Sequence, residues 1–323
     1  MQRRVVLGTG GTIAGRSDRA GDHVDYVAGQ VAVTALVEAV PALAGLALEI
    51  EQVDQIDSKD MGFALWQRLA ARVAHHLARE DVAGVVITHG TDTLEETAFF
   101  LECVLRPGKP VVLTCAMRPA SALVPDGPQN LLDAVLVAGD ARCPGVAVVC
   151  AGEIHAARHV TKVHPYRVDA FDSGDAGPIG CVEASRVRWF HPAPAQAGAA
   201  VLDVARLRRV LAVGSLPRVE WMTSHADADG GLLEAALAHA DTRPDLRPQG
   251  VVVAGTGNGT VHRSLESVLR VAKAQGVRVV RATRCSRGQV VPGALSEEYE
   301  SLPLSPAKAR IALALELMGL DDA

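Results

Sequence analysis

Two hydroxyl-bearing turns are the parts of this sequence that most directly suggest chemistry. The first is GTGGTIAG at 8–15, where four glycines and two threonines follow a short apolar run. Glycine permits positive φ angles and close backbone approach to a ligand, and Thr12 brings a hydroxyl to the same place. Such a turn either holds an anion such as a phosphate or uses a hydroxyl as a nucleophile.

The phosphate alternative fits the sequence poorly. Ile13 stands where a dinucleotide-binding fingerprint requires glycine, and no Gly-Lys-Ser/Thr follows the turn. The later turn GTGNG at 255–259 fails in the same way. A loose anion-binding loop stays open as an alternative, but hydroxyl chemistry is favoured.

The second turn lies in ITHGTDTLEETAFFL at 87–101, between a predicted strand and a predicted helix. Thr91 and Asp92 stand at the helix start, where backbone amides lack intrahelical partners and the helix dipole favours negative charge. An oxyanion formed from a carbonyl would be stabilised there. The structural alternative makes Asp92 or Thr93 the helix N-cap, with one of the two following glutamates completing a capping box.

A hydroxyl is a poor nucleophile unless a neighbouring group activates it. The chain contains no Gly-x-Ser-x-Gly elbow, which rules out the common serine hydrolase pattern. His89 adjoins the second turn, but a histidine between strand and turn is more typical of a hydrogen-bonded core residue than of a base. A lysine or tyrosine whose pKa is lowered by burial and neighbours is the other way to activate the hydroxyl.

Together the two turns resemble the two signature segments of the bacterial-type L-asparaginase family, the threonine amidohydrolases. Ordered matches run from residue 8 to residue 260 and so span most of the chain. Two long motifs in the right order are far more specific than a lone glycine pattern. The further matching segments are YVAGQV (26–31), QIDSKDM (55–61), AMRP (116–119), DGPQNL (126–131), VTKVH (160–164) and GTGNGT (255–260).

The resemblance implies a catalytic role for five residues. Thr12 is the expected nucleophile toward the side-chain amide carbon, and Tyr26, on a mobile loop that closes over the site, is its activating neighbour. Thr91, Asp92 and Lys162 form the second expected catalytic group, in which Lys162 assists Thr91. Asp92 is also expected to receive the α-ammonium of the substrate, since a carboxylate there faces a cation.

The resemblance also implies substrate-binding residues. Ser58 matches the residue that holds the α-carboxylate, and Asp57 and Lys59 flank it. The family commonly carries Gln, Glu or a small polar residue in place of Lys59, so this lysine is expected to point either at the substrate carboxylate or outward. Asn258 matches a substrate-proximal asparagine donated by the neighbouring subunit. The segment 284–300 has no evident match for an acidic residue that many periplasmic members insert into the neighbour's site.

The implied function is L-asparagine amidohydrolysis, which gives L-aspartate and ammonia through a threonine-linked acyl-enzyme in a homotetramer or homodimer. No metal or organic cofactor is expected. Glutaminase or D-asparagine activity stays open, because one methylene group is worth only about 1–3 kcal/mol of discrimination. A non-catalytic amino-acid-binding sensor is the alternative from another class. A sensor would need Asp92 and Ser58, but not two positioned hydroxyls and Lys162.

Bulk composition excludes several classes of protein. The chain has 323 residues, 49% of them hydrophobic, and a formal charge of −5 without a basic stripe, so no nucleic-acid partner is expected. The longest apolar runs are strand-length, and the N-terminus has no secretory pattern, so neither membrane association nor export is expected. The six cysteines lack C-x-x-C spacing and are typical of reduced core residues. A cytoplasmic protein is expected.

Strand-length apolar runs alternate with helical segments, which predicts an α/β fold with a mostly parallel sheet flanked by helices. Polar residues gather after the strands, at the edge where such sheets bind ligands. The predicted strands of the larger N-terminal domain are 3–10, 46–54, 84–90, 110–117 and 145–152. Its clearest predicted helices are 61–78 and 92–105.

A smaller C-terminal α/β domain is predicted after a stretch rich in alanine and proline. We expect an N-terminal α/β catalytic domain at 1–188, a linker at 189–208 and the second domain at 209–323. The predicted strands of the second domain are 209–216, 250–259 and 277–284. Its predicted helices are 231–240, 264–275 and 305–320, the last with Ser305 as its N-cap.

Overall fold

The computed structural model describes residues 2–19, 24–190, 202–240, 242–293 and 298–320. The chain divides into two compact units, 1–212 and 213–323, and each unit has an α/β fold with its own sheet. The predicted fold class is therefore confirmed. Most of the predicted linker, at 191–201, lies outside the described residues.

The first unit is built on an eight-stranded sheet in the order β10-β9-β6-β5-β4-β3-β1-β2, with β7 and β8 forming a separate small sheet. The strands are β1 (Arg3–Gly10), β2 (Leu48–Ile56), β3 (Val82–Thr88), β4 (Val111–Thr114), β5 (Val146–Cys150), β6 (Glu153–Ala156), β7 (Thr161–Lys162), β8 (Phe171–Asp172), β9 (Gly180–Glu183) and β10 (Arg186–Trp189). Strands β1 to β5 are parallel, and the other three strands of the large sheet are antiparallel. The five predicted strands are these five parallel ones.

Helices cover this sheet because each has one apolar face to bury. They are α1 (Val33–Glu38), α2 (Phe63–Leu77), α3 (Leu94–Leu105), α4 (Gly127–Ala138) and α5 (Val204–Leu211). Both predicted helices, α2 and α3, are confirmed. They pack together through Trp66 and Phe100, whose rings stack with centroids 4.7 Å apart.

The predicted strand at 209–216 is wrong, because α5 extends through Leu211. The carboxylate of Asp203 accepts the amide N–H of Arg206 at 3.0 Å and so caps the start of this helix. Leu207 and Val210, three residues apart, are buried on the face that packs against α2 and α3. A short apolar run that suggested a strand is here one side of a helix.

The second unit has a four-stranded parallel sheet in the order β11-β12-β13-β14. Its strands are β11 (Val219–Thr223), β12 (Gly250–Gly255), β13 (Arg278–Thr283) and β14 (Glu300–Ser301), and its helices are α6 (Gly231–Ala240), α7 (Arg263–Ala274) and α8 (Pro306–Leu317). The predicted strands at 250–259 and 277–284 and all three predicted helices are confirmed. The hydroxyl of Ser305 accepts the amide N–H of Lys308 and caps α8, as predicted.

Within the described ranges, no helix has both the length and the apolar character that crossing a membrane requires.

Candidate active site

Two turns of the first unit meet at the carboxyl ends of β1 and β3. These strands are parallel neighbours with Gly8 beside Thr88, so the chain leaves both of them at the same edge of the sheet. A Cβ atom added to Gly11 would lie 2.2 Å from the Cα of Gly90, so the turns touch backbone to backbone. Gly11 also has a φ of +80°, which residues with side chains rarely adopt. Glycine is therefore required at this contact.

Thr12 follows the first turn and pairs with Tyr26. The Thr12 hydroxyl oxygen lies 2.6 Å from the phenol oxygen, and Thr12 is only 6% exposed. Burial raises the pKa of Tyr26 above 10; the hydrogen bond with Thr12 opposes this shift, and the negative charges of Asp92 and Asp57 add to it. Tyr26 is consequently a neutral phenol at pH 7, and it lies within the electrostatic reach of both carboxylates.

Lys162 binds the second turn. Its Nζ donates to the hydroxyl of Thr91 at 2.8 Å and to Oδ1 of Asp92 at 2.6 Å. The Thr91 hydroxyl donates in turn to the same carboxylate oxygen at 3.4 Å. Thr91 is buried, whereas the Asp92 side chain is 54% exposed. The structure thus brings these three sequence-predicted residues together, and the other carboxylate oxygen of Asp92 has no partner within the described ranges.

Ser58 lies directly behind the second turn. Its Oγ accepts the amide N–H of Asp92 at 3.2 Å, and its carbonyl accepts the hydroxyl of Thr93 at 2.8 Å. A Cβ atom on Gly90 would lie 2.4 Å from this Oγ. Because Oγ acts as an acceptor here, the Ser58 hydroxyl keeps its own proton for an acceptor such as a carboxylate.

Lys59 points outward, one of the two orientations expected for it. Its Nζ lies 2.9 Å from the carboxylate of Asp57 and 3.0 Å from that of Asp60, and its side chain is 62% exposed. The hydrogen bonds that Lys59 donates to Asp57 and Asp60 raise its pKa. The charge that departs from the family pattern is therefore balanced locally by two flanking carboxylates.

The structural alternative for the second turn is correct in naming Thr93 as the N-cap residue and wrong in expecting a capping hydrogen bond from its side chain. Thr93 occupies the N-cap position of α3, but its side chain makes no capping hydrogen bond and instead binds Ser58. Glu95 accepts the backbone N–H of Lys162 at 2.8 Å. Sequence reasoning missed this contact, because acidic residues in a first turn are typical of helices in general and say nothing about a partner 67 residues away.

His89 is a hydrogen-bonded core residue, as its position suggested, and is 0% exposed. Its Nε2 lies 3.0 Å from the Thr97 hydroxyl, which also accepts the indole N–H of Trp66 at 2.9 Å. Since a carbonyl can only accept, Nδ1 must carry the proton that it donates to the carbonyl of Gly90 at 2.7 Å, and Nε2 of the neutral ring then accepts the hydroxyl proton of Thr97. Burial lowers the pKa of His89 to about 4, so it is neutral and has no nitrogen left to act as a base.

This histidine also orients a backbone amide. The carbonyl of Gly90 points toward the buried imidazole, and in a trans peptide the N–H of the next residue points the opposite way. The N–H of Thr91 therefore points away from the core, and it meets no acceptor among the residues that the structure describes. A backbone donor that is not used within the fold at this edge is suited to stabilise negative charge on a ligand oxygen.

Asn258 belongs to the second unit. Its side-chain amide donates to the carbonyl of Val291 at 3.0 Å and accepts the N–H of the same residue at 2.7 Å. These two bonds tie the turn after β12 to the segment after β13. The role of Asn258 toward a substrate stays a prediction.

The described ranges contain no cluster of three or more His, Cys, Asp or Glu side chains placed to bind a metal ion. Five of the six cysteines are buried, Cys285 is exposed, and none forms a disulfide.

Comparisons with known proteins extend over nearly the whole chain. The protein-family model "Asparaginase, N-terminal" matches residues 4–195, and the family model "Glutaminase/Asparaginase C-terminal domain" matches residues 218–322. L-asparaginase 2 of Bacillus subtilis (strain 168) is 37% identical, with 98% of this chain and 83% of that protein covered. Glutaminase-asparaginase of Pseudomonas fluorescens biotype A is 36% identical, with 98% and 87% covered. The crystal structure of a "Probable Cytoplasmic L-asparaginase" from Campylobacter jejuni has a TM-score of 0.87 at 37% identity and covers 98% of this chain and 95% of that one.

Proposed function

We infer the function from the premise that this chain belongs to the bacterial-type L-asparaginase family, to which two family models and near full-length relatives assign it. The chain is an amidohydrolase that converts L-asparagine to L-aspartate and ammonia. One observation supports the assignment of this activity to particular residues. The hydroxyl of Thr12 is hydrogen-bonded to Tyr26, and the hydroxyl of Thr91 is hydrogen-bonded to Lys162, so each threonine has a partner that can activate it. A protein that only binds an amino acid has no need of both pairs.

We propose that Asp92 and Ser58 bind the amino-acid end of the substrate. The exposed carboxylate of Asp92, with an oxygen not engaged by Lys162, suits the α-ammonium. The hydroxyl proton of Ser58 suits the α-carboxylate, since Oγ accepts the amide N–H of Asp92. Asp57 adds negative charge beside Tyr26, while its bond to Lys59 keeps that lysine turned outward.

In the proposed acylation step, Oγ1 of Thr12 attacks the side-chain amide carbon. The N–H of Thr91 donates to the oxyanion that forms. Tyr26 is a neutral phenol, so it can accept the proton of Thr12 only while it donates its own proton to another group. That group is the amide nitrogen of the substrate, which must gain a proton to leave as ammonia. The product of this step is a β-aspartyl ester on Thr12.

In the proposed deacylation step, water attacks the carbonyl carbon of this ester, the bond to Oγ1 of Thr12 breaks, the proton of the water returns to Oγ1, and L-aspartate is released. The Thr91 hydroxyl, held by Nζ of Lys162 and by Asp92, is the group we assign to orienting that water and handling its proton. The two hydroxyls then serve successive halves of one reaction, and neither half calls for a metal or an organic cofactor.

L-Asparagine is the preferred substrate in this proposal, and L-glutamine is the second candidate. The chain is nearly as similar to a protein named glutaminase-asparaginase as to one named L-asparaginase, so L-glutamine is also tested as a substrate. Lys59 is turned outward, so it adds no cation against the α-ammonium of either amino acid. Activity on D-asparagine would require the ammonium and carboxylate partners to exchange sides, which the fixed positions of Asp92 and Ser58 disfavour.

Release of ammonia by the purified protein tests the function. We expect turnover of L-asparagine well above that of L-glutamine and D-asparagine, and its loss in Thr12→Ala and Thr91→Ala. Thr9→Val is the matched control, because the hydroxyl of this neighbouring threonine is used in a structural bond to the Thr88 carbonyl. Ligand-dependent stabilisation without turnover of any of the three amides would instead identify a sensor.

We further propose that the protein is a cytoplasmic homo-oligomer, a tetramer or a dimer, in which Asn258 serves the site of a neighbouring subunit. The location agrees with the name of the Campylobacter jejuni neighbour and is tested by cell fractionation. Subunit mixing tests the assembly. Thr12→Ala and Asn258→Ala proteins, each impaired alone, should regain activity when unfolded and refolded together, because one mixed site then has both residues. Absence of any recovery in a demonstrated mixed oligomer would place Asn258 outside the partner's site.

A further inference from the structure

Few backbone contacts fix the position of Lys162. It lies on β7, a strand of only two residues that pairs with β8 through Lys162 opposite Phe171. The next residue, Val163, donates its N–H to Ala170 at 2.8 Å. Successive N–H groups of a strand point to opposite sides, so the N–H of Lys162 points away from β8. The short strand leaves this amide for a partner elsewhere.

Glu95 provides that partner from the first turn of α3. Its Oε2 accepts the N–H of Lys162 at 2.8 Å, and the same helix start carries Thr91 and Asp92, which hold Nζ of the same lysine. Lys162 is thus bound at its backbone by the first turn of α3 and at the tip of its side chain by the turn that leads into this helix. The distance between those two anchors fixes where Nζ can reach.

We propose that Glu95 is a positioning residue that holds the backbone of Lys162 so that Nζ reaches the hydroxyl of Thr91. The proposal rests on the proposed function, in which Lys162 assists Thr91. A hydrogen bond to a carboxylate is stronger than one between neutral groups, which suits an anchor for a strand of two residues. In this proposal Glu95 acts on Thr91 through Lys162, whose backbone N–H its carboxylate accepts.

Two substitutions and a matched control test the proposal. Glu95→Ala removes the acceptor and should lower kcat for L-asparagine by about 10-fold to 100-fold, because small displacements of a catalytic group are costly, with little change in KM. Glu95→Gln keeps an acceptor oxygen and should recover most of the rate. Glu96→Ala removes a charge from the same first turn of α3, is similarly half-buried, and should keep the wild-type kcat.

A double-mutant cycle separates positioning from general destabilisation. In a Lys162→Ala background, Glu95→Ala should cost no further kcat, because no lysine is left to position. The same loss in both backgrounds would overturn the proposal, as would a Glu95→Gln protein as slow as Glu95→Ala. An inactive wild-type protein would overturn the proposed function, whereas an active wild type whose kcat is insensitive to Glu95→Ala would overturn this inference alone.

Discussion

The hydroxyl of Thr12 and the phenol of Tyr26 lie 2.6 Å apart, and this contact joins the first turn to a segment 14 residues further along the chain. Tyr26→Phe keeps the ring, which packs against Gly15, and removes only the proton-carrying group. We expect kcat for L-asparagine to fall about 100-fold or more, the usual loss of a positioned acid-base group, with thermal stability almost unchanged. Steady-state kinetics with a melting curve check this, and full activity in the variant would remove Tyr26 from the mechanism.

The negative charges of two neighbouring carboxylates should measurably change the pKa of Tyr26. Asp92 and Asp57 both raise its pKa, so Asp92→Asn and Asp57→Asn should each lower it, and the phenolate should form at a lower pH. The tyrosinate absorbance of each protein, minus that of the same protein carrying Tyr26→Phe, measures this. Asp60→Asn is the control, since Asp60 also pairs with Lys59 but is not among the groups that shift the pKa of Tyr26. Identical curves for all four proteins would place the two carboxylates too far from the phenol.

The contact of the two turns should tolerate no side chain. Gly11→Ala places Cβ against the backbone of Gly90 and should abolish activity and lower the melting temperature. Gly45→Ala separates the clash from backbone strain, because Gly45 has a similar φ of +85° with open space around its Cβ. This control should cost only the left-handed strain of about 1–2 kcal/mol and leave turnover intact. Equal behaviour of the two variants would contradict the tight contact at Gly11.

Acid should destabilise the protein partly through His89. The pKa of His89 is 6.5 in the unfolded chain and about 4 in the folded protein. Its contribution to the free energy of unfolding is therefore complete above pH 6.5 and is lost as the pH falls toward 4. The shift corresponds to about 3 kcal/mol of free energy of unfolding. Denaturant unfolding of wild type and of His89→Gln between pH 7 and pH 4 measures it. The variant should show the flatter dependence on pH, and parallel curves would mean that His89 is protonated in the folded state.

Lys59 should matter little for the preferred substrate. Its side chain is exposed and bound to Asp57 and Asp60, so Lys59→Gln should leave stability and the KM for L-asparagine close to wild type. Kinetics with L-asparagine and L-glutamine check this. A large rise in KM for either amino acid would show that the lysine turns inward when substrate binds.

Much of the first unit follows from local pattern. Continuous apolar runs predict the five parallel strands because strands covered on both faces are apolar throughout. The glycine-rich turns after β1 and β3 are predicted to lie near each other because parallel strand ends share an edge. The second unit is predicted less completely, because β11 and β14 have no counterpart among the predicted strands. The run at 209–216 fits strand and helix equally in sequence, and the capping bond of Asp203 together with the burial of Leu207 and Val210 places its first part in α5 of the first unit.

Side-chain partnerships across the chain are beyond such patterns. Lys162 looks like an ordinary loop lysine in sequence, and only the family resemblance placed it beside Thr91. The bond from Lys162 to Glu95 and the relay from Trp66 through Thr97 to His89 depend on how strands and helices pack. The sequence likewise does not determine whether the side chain of Lys59 points toward the site or outward. Its outward direction depends on ion pairs with two flanking residues, Asp57 and Asp60.

Thr12, not Thr91, is the residue expected to carry the acyl group, and trapping the acyl-enzyme during turnover decides between the two. The protein is mixed with L-asparagine, quenched in acid during turnover, digested with trypsin and mapped by mass spectrometry. Cleavage after Arg4 and Arg16 releases the segment that contains Thr12 separately from the one that contains Thr91. We predict an aspartyl adduct on the segment with Thr12 and its absence in Thr12→Ala. An adduct on the segment with Thr91 would show that Thr91 is the nucleophile.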